Sequence, residues 1–197
     1  SELVSNVRDL RPFCSDTLNG YPAASVVYEH AGSLEAGSNF VQAKRDYYRA
    51  KDLDCIRFRA PEDINAVIHT LASDYGAHLV PMKSVFEAAS PHRIIGHHLI
   101  TEHLHPNIDG YFLMADAFFQ AIAGSGVAGG LPDPVYVKSS SYYRNNWGFT
   151  ALDSLYAAHQ VAIITRYWPF QSMEANADLY KKAFKPLSLA DSLAFTV

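Results

Sequence analysis

Apolar residues at helical spacing are the feature that most constrains the fold of this chain. Across residues 23–54 they recur every three to four positions, and Gly37 interrupts the pattern near its middle. The first series comprises Val27, Ala31 and Leu34, and the second comprises Phe40, Ala43, Tyr47 and Ala50. Because a glycine between two amphipathic stretches is typical of a turn, the spacing predicts two antiparallel helices over residues 23–54.

Small and aromatic residues alternate along this predicted hairpin. Ala31, Ala43 and Ala50 would let the two helices approach closely, and Phe40 and Tyr47 would fill the groove between them. This pattern resembles one tetratricopeptide-type repeat. Since a solenoid needs about three repeats for stability, a plain helical hairpin is an equally good interpretation of residues 23–54.

Residues 60–63 carry the signal of a helix start. Proline in the first turn, followed by Glu62 and Asp63 at the positive end of the helix dipole, favours a helix here. The apolar stripe that follows is Ile64, Val67, Ile68, Leu71 and Tyr75, and Gly76 is expected to end the helix. The apolar segment 78–82 is then a short strand candidate, and residues 3–6 are expected to end another strand. A helix followed by a strand is half of a βαβ unit, which favours an α/β fold for the first two-thirds of the chain.

The remaining sequence is predicted to be helical. Residues 108–122 are so densely apolar that we expect a largely buried helix. Residues 131–134, with two prolines, indicate a domain boundary. Helices are predicted over residues 151–168 and 173–184, with a third beginning in 188–195. We therefore expect one domain over residues 1–130 and a helical extension over residues 131–197.

Composition excludes some classes of function. The chain has 16 Lys and Arg against 20 Asp and Glu, a formal net charge of -4, and it lacks a basic run. Nucleic-acid binding is therefore not expected. No segment approaches the roughly 20 apolar residues needed to span a bilayer. Cys14 and Cys55 could form a disulfide if the fold brought them together, so the sequence does not decide the cellular compartment of the protein.

Chemistry is concentrated in residues 100–115. Glu102 precedes His105 by three positions, so its carboxylate can fold back in a tight turn and accept the Nδ1–H of the imidazole. That bond would leave Nε2 free to take a proton from a nucleophile. Pro106 would stiffen the residue after the histidine. These residues therefore predict a general base with its orienting acid.

The same segment closely resembles the last conserved block of the SGNH/GDSL hydrolases. In that block an acid-x-x-His-Pro sequence precedes a Gly-Tyr pair and a helix with small residues. The matching residues are Glu102, His105, Pro106, Gly110, Tyr111, Met114 and Ala115. Glu102 stands where the family usually has Asp. Ser5-Asn6, Pro12-Phe13 and residues 51–61 are similar to a subgroup with an inserted helical hairpin, so the resemblance covers residues 1–125.

This resemblance implies a partial flavodoxin-like three-layer α/β domain with an inserted helical hairpin (residues 23–54) and a helical C-terminal extension. It implies hydrolysis of a small-molecule ester or acyl group, with His105 as general base, Glu102 as its orienting acid, and no cofactor or metal. Arg59 and Asn6 become candidates for substrate binding. The family's Gly-Asp-Ser-type and Gly-x-Asn-Asp-type blocks are absent from these 197 residues. We therefore expect the C-terminal portion of such a hydrolase, close to inactive without its nucleophile.

Other interpretations of these residues stay open. His105 could cap the following helix, and Glu102 could be a solvated turn acid. Arg59 could form salt bridges to Asp52, Asp54 or Glu62. A metal site is an alternative for the neighbouring imidazoles and carboxylate, which are ligand types that zinc prefers. Those residues are His92, His97, His98, Glu102, His103 and His105.

The rival function is a helical protein-interaction module without catalysis. The hairpin and the helical tail would then bind a protein partner or a second copy of the chain. The two functions differ in one feature. A hydrolase requires contact between Glu102 and His105 with open space beside Nε2, whereas an interaction module tolerates any placement of His105.

Overall fold

The computed structural model describes residues 17–18, 21–54, 58–127, 129 and 137–165. The contacts divide the chain into two compact units, residues 17–144 and a second unit that includes residues 145–165. Two short strands, β1 (Thr17–Leu18) and β2 (Tyr21–Pro22), pair in antiparallel fashion. The helices are α1 (Ala24–Ala36), α2 (Phe40–Leu53), α3 (Glu62–Asp74), α4 (Met82–Ala88), α5 (Ile108–Ser125), α6 (Ser140–Asn146) and α7 (Ala151–Ile164), with a 3₁₀ turn at Pro91–Arg93.

The expected flavodoxin-like α/β fold is wrong, because the described part of the chain is mostly helical. Across the described ranges the only strands are β1 and β2, of two residues each. The strand candidate at residues 78–82 is also wrong, since residues 77–81 have no regular structure and α4 begins at Met82. A strand needs a partner for its N–H and C=O groups. Here the Val80 carbonyl instead accepts the backbone N–H of Met82 at 2.7 Å, a local turn.

The α1–α2 hairpin is the best-packed part of residues 17–144. Ala31, Ala43 and Ala50 are buried, so small side chains lie where the two helices meet. The predicted helical pair is confirmed in its position, although the turn differs in detail. The left-handed residue is Ser38, with φ 62°, and Gly37 keeps an ordinary negative φ. The resemblance to a tetratricopeptide-type repeat stays a prediction.

Charged groups connect α2 to α3 and α4. The buried Glu87 of α4 accepts a hydrogen bond from the Tyr48 hydroxyl at 2.7 Å and pairs with Lys44 at 2.7 Å. Burial raises the pKa of Glu87, but the bonds from Lys44 and Tyr48 outweigh burial and hold this pKa below its ordinary value. Glu62, in the first turn of α3, binds Lys51 at 2.7 Å and also contacts Lys83.

Two helices leave large apolar side chains exposed. The predicted helix at residues 62–75 is confirmed as α3, yet its apolar residues are about half exposed, namely Ile64, Val67, Ile68 and Leu71. The expected burial of α5 is wrong. Tyr111, Phe118, Phe119 and Ile122 are exposed, and the buried residues of α5 are Gly110 and Ala123. The described part of the chain has only the two-residue strands β1 and β2, and so lacks the larger sheet that was expected to cover these faces.

Helices α6 and α7 come after residues 131–134 in the sequence. The domain boundary expected at 131–134 lies outside the described residues, and so do the strand expected at 3–6 and the helices expected at 173–184 and 188–195. Helix α6 is not predicted by the sequence pattern. In α7, the predicted helix at 151–168 is confirmed up to Ile164, and Thr150 and Asp153 form a capping box at its start. None of the helices described here has the length and hydropathy needed to cross a bilayer.

Candidate functional site

The candidate site is a closed turn just before α5. The backbone N–H of Asn107 donates to the Leu99 carbonyl at 2.9 Å, and that of Thr101 donates to the His105 carbonyl at 2.8 Å. Between these bonds Ile100 and Pro106 form an isolated antiparallel bridge. The two ends of the loop at residues 99–107 therefore lie side by side and are joined by hydrogen bonds, and we call this joined part the neck of the loop. It holds Glu102 and His105 on one small loop.

Glu102 is the centre of this loop. Its Oε1 accepts the backbone N–H of His105 at 3.0 Å, and its Oε2 accepts the backbone N–H of Leu104 at 2.9 Å. Each oxygen also contacts an imidazole. Oε1 lies against Nδ1 of His105, and Oε2 lies against Nδ1 of His103. An ionised carboxylate only accepts hydrogen bonds. Those from the Leu104 N–H, the His105 N–H and the His105 side chain hold Glu102 in a fixed orientation, and Nδ1 of His103 adds a close contact.

Electrostatics keep Glu102 ionised. Burial raises the pKa of this carboxyl, but the bonds from the His105 side chain and from the Leu104 and His105 N–H groups outweigh burial. The pKa of Glu102 therefore lies below its ordinary value of 4.5. At neutral pH the group is a carboxylate that can orient an imidazole without taking its proton.

The two imidazoles on Glu102 differ in exposure. The His105 side chain is 65% exposed, whereas the His103 side chain is only 14% exposed. The Phe58 ring lies edge-on against His103, with 5.0 Å between the ring centroids. Burial lowers the pKa of His103, and the nearby Arg59 charge adds to this effect. His105 is thus the imidazole that a molecule from solution can reach.

Asn107 and Gly110 anchor the loop to α5. The Asn107 side chain accepts the backbone N–H of Gly110 at 3.0 Å as the helix N-cap, and its amide donates to the His97 carbonyl at 3.0 Å. Gly110 is required by close packing. A Cβ at this position would lie 2.8 Å from Cβ of Pro106 and closer still to the Leu99 carbonyl oxygen. The first turn of α5 therefore rests directly on the neck of the loop.

The structure brings together three of the four predicted site residues. Glu102 and His105 are in contact, and Arg59 is close enough for its charge to affect the pKa of His103. Arg59 also lies 4.0 Å from Asp54, as the salt-bridge alternative expects. Asn6 lies outside the described residues. The roles of all four residues stay predictions.

Two other histidines of the metal hypothesis, His92 and His98, have partners elsewhere. The His92 ring stacks on Phe40 with centroids 3.5 Å apart, and His98 Nε2 lies 2.9 Å from the Ser90 hydroxyl. Within the ranges that the structure describes, no group of three His, Cys, Asp or Glu side chains is placed to hold a metal ion. His92 and His98 thus have partners other than Glu102, which His103 and His105 share.

Sequence reasoning missed the part that His103 and Phe58 play in the site. The sequence pattern suggests His103 only as a metal ligand. The sequence Glu102-His103-Leu104-His105 does contain a signal for the role of His103. A carboxylate has two oxygens, and this spacing offers one imidazole to each. The contact with Phe58 joins distant parts of the sequence and leaves no local pattern.

Comparisons with known proteins add no assignment. A scan against protein-family models, a search of curated proteins and a search of solved structures each found no match.

Proposed function

We propose that the loop at residues 99–107 is the acid–base arm of a serine hydrolase that cleaves a small-molecule ester or acyl group. The observation that carries the proposal is the contact of an ionised Glu102, whose side chain is only 11% exposed, with Nδ1 of an exposed His105. This arrangement matches the requirement for a general base whose tautomer is fixed by a carboxylate. The resemblance of residues 100–115 to the last SGNH/GDSL block supports the same reaction class.

The chemistry follows from the two nitrogens of His105. With Nδ1–H donating to Glu102, Nε2 carries a lone pair and accepts the proton of a serine hydroxyl as its oxygen attacks the carbonyl carbon. The resulting imidazolium then donates that proton to the leaving alkoxide, and the product is an alcohol. Water repeats the cycle on the acyl-serine and releases the acid. Glu102 stabilises the imidazolium without becoming protonated.

The nucleophilic serine is proposed to come from outside these 197 residues, since no Gly-Asp-Ser-type block is present among them. Arg59 is the candidate for binding an anionic part of the substrate, because it is exposed and lies near His103. The rival interaction module has no need of an ordered carboxylate–imidazole pair. The Glu102–His105 contact therefore favours the hydrolase.

A fluorophosphonate probe tests this proposal, because it reacts only with an activated serine. The 197-residue chain is compared with the longest product of its coding sequence, and labelled peptides are identified by mass spectrometry. We expect one labelled serine, in the longer product and outside residues 1–197. His105→Ala should reduce its labelling by several orders of magnitude. The matched control is His98→Ala, which removes an imidazole bonded to Ser90 instead of Glu102.

Three outcomes would contradict the proposal. A labelled serine inside the 197 residues would show that the nucleophile is present here. Equal labelling in the wild-type protein and the His105→Ala variant would remove His105 from the mechanism. The absence of any labelled serine in either product would leave the interaction module as the better account.

A further inference from the structure

His103 is a second imidazole on the carboxylate of the acid–base pair. Its Nδ1 lies against Oε2 of Glu102, while Oε1 faces Nδ1 of His105. The backbone N–H of Leu104 also donates to Oε2, so His103 is the side-chain partner on that oxygen. Rotation of the carboxylate would break the hydrogen bonds of Leu104 and His105 and would move Oε2 away from His103.

The surroundings of the two imidazoles suit different tasks. His103 is 14% exposed and covered by the Phe58 ring, so its ring cannot contact a substrate on the open side of the loop. His105 is 65% exposed, so its ring can contact a substrate there. Where chemically similar groups share a site, their environments separate their roles.

We propose that His103 is a positioning residue, which holds Oε2 of Glu102 so that Oε1 keeps His105 in the tautomer with Nε2 unprotonated. This inference rests on the proposed function of His105 as general base. His103 acts on the substrate only through Glu102 and is therefore not itself a catalytic residue.

The charges around His103 support these separate roles of the two imidazoles. Burial is the largest influence on His103 and, with the Arg59 and His105 charges, lowers its pKa despite the opposing effect of Glu102. A neutral imidazole can carry a proton on Nδ1 that faces the carboxylate, yet it adds no full positive charge beside it. The negative charge of Glu102 then remains available to stabilise the imidazolium that forms on His105.

Imidazole ¹H–¹⁵N spectra of the 197-residue chain at neutral pH test the inference. In the wild-type protein we expect His105 with Nδ1 protonated and Nε2 unprotonated. His103→Phe keeps an aromatic ring against Phe58 but removes the donor, so the Nε2 signal of His105 should move toward its protonated position. His103→Asn keeps an N–H at nearly the position of Nδ1 and should restore the wild-type signal. Backbone spectra check that each variant is folded.

The outcomes separate this inference from the proposed function. If Nε2 of His105 is protonated in the wild-type protein, the general-base role fails, and the role of His103 fails with it. If the wild-type tautomer is as expected but His103→Phe leaves it unchanged, only the inference on His103 is overturned. Should His103→Phe not fold, the wild-type protein still decides, because an unprotonated Nδ1 on His103 would exclude the proposed hydrogen bond.

Discussion

Replacing Gly110 by alanine should open the neck of the loop at residues 99–107. An added Cβ would lie 2.8 Å from Cβ of Pro106 and closer to the Leu99 carbonyl oxygen, which also accepts the Asn107 N–H. Overpacking costs about 1–3 kcal/mol, and a weakened hydrogen bond adds about 1 kcal/mol. Alanine returns about 1 kcal/mol through its higher helix propensity. The expected net loss in the free energy of unfolding is therefore about 1–3 kcal/mol.

Gly124 is the matched control for this substitution. It lies in the same helix, and a Cβ there would meet nothing within 4 Å. Gly124→Ala should therefore stabilise the protein by up to about 1 kcal/mol. Urea denaturation of both variants, followed by circular dichroism, should separate them by about 1–4 kcal/mol at an unchanged m-value. Equal midpoints for Gly110→Ala and Gly124→Ala would refute the close packing described for the neck.

Two further predictions concern the helix caps and the carboxylates. Thr150→Ala should cost about 1 kcal/mol of α7 stability, seen as lost helicity, whereas Thr150→Ser should keep the capping box and the helicity. The pKa values of Glu62, Glu87 and Glu102 lie below their ordinary 4.5 in the folded protein, so the unfolded chain binds more protons at acidic pH. Stability should be fully present above pH 4.5 and should fall as the pH drops through the folded-state values. A urea midpoint that stays constant from about pH 7 to about pH 3 would contradict this linkage.

Local patterns predicted five of the seven described helices, all but α4 and α6, and they predicted the core of the site. The spacing of Val27, Ala31 and Leu34 identified α1, and the acids after Pro61 marked the start of α3. The contact between Glu102 and His105 was also predictable, because a tight turn brings residues three positions apart together. Each of these features depends on residues that are close in the sequence, so a single sequence is enough to predict it.

The fold class was not predictable in this way. The α/β expectation depended on residues 78–82 forming a strand, but an apolar segment becomes a strand only when a neighbouring strand completes its hydrogen bonds. Likewise, the apolar density of α5 indicated burial, while Tyr111 and Ile122 are about half exposed. Periodicity shows which face of a helix is apolar, and only the tertiary arrangement determines what covers that face.

The closed loop at residues 99–107 also has a consequence for folding kinetics. Its two backbone bonds join residues close in sequence, Leu99 to Asn107 and Thr101 to His105. Loops of about 10 residues close in about 10–100 ns, faster than helices distant in sequence can dock. Glu102 and His105 can therefore meet among the earliest events on the folding pathway. Their pairing then depends on rapid local closure, whereas the contact between His103 and Phe58 must wait for slower long-range packing.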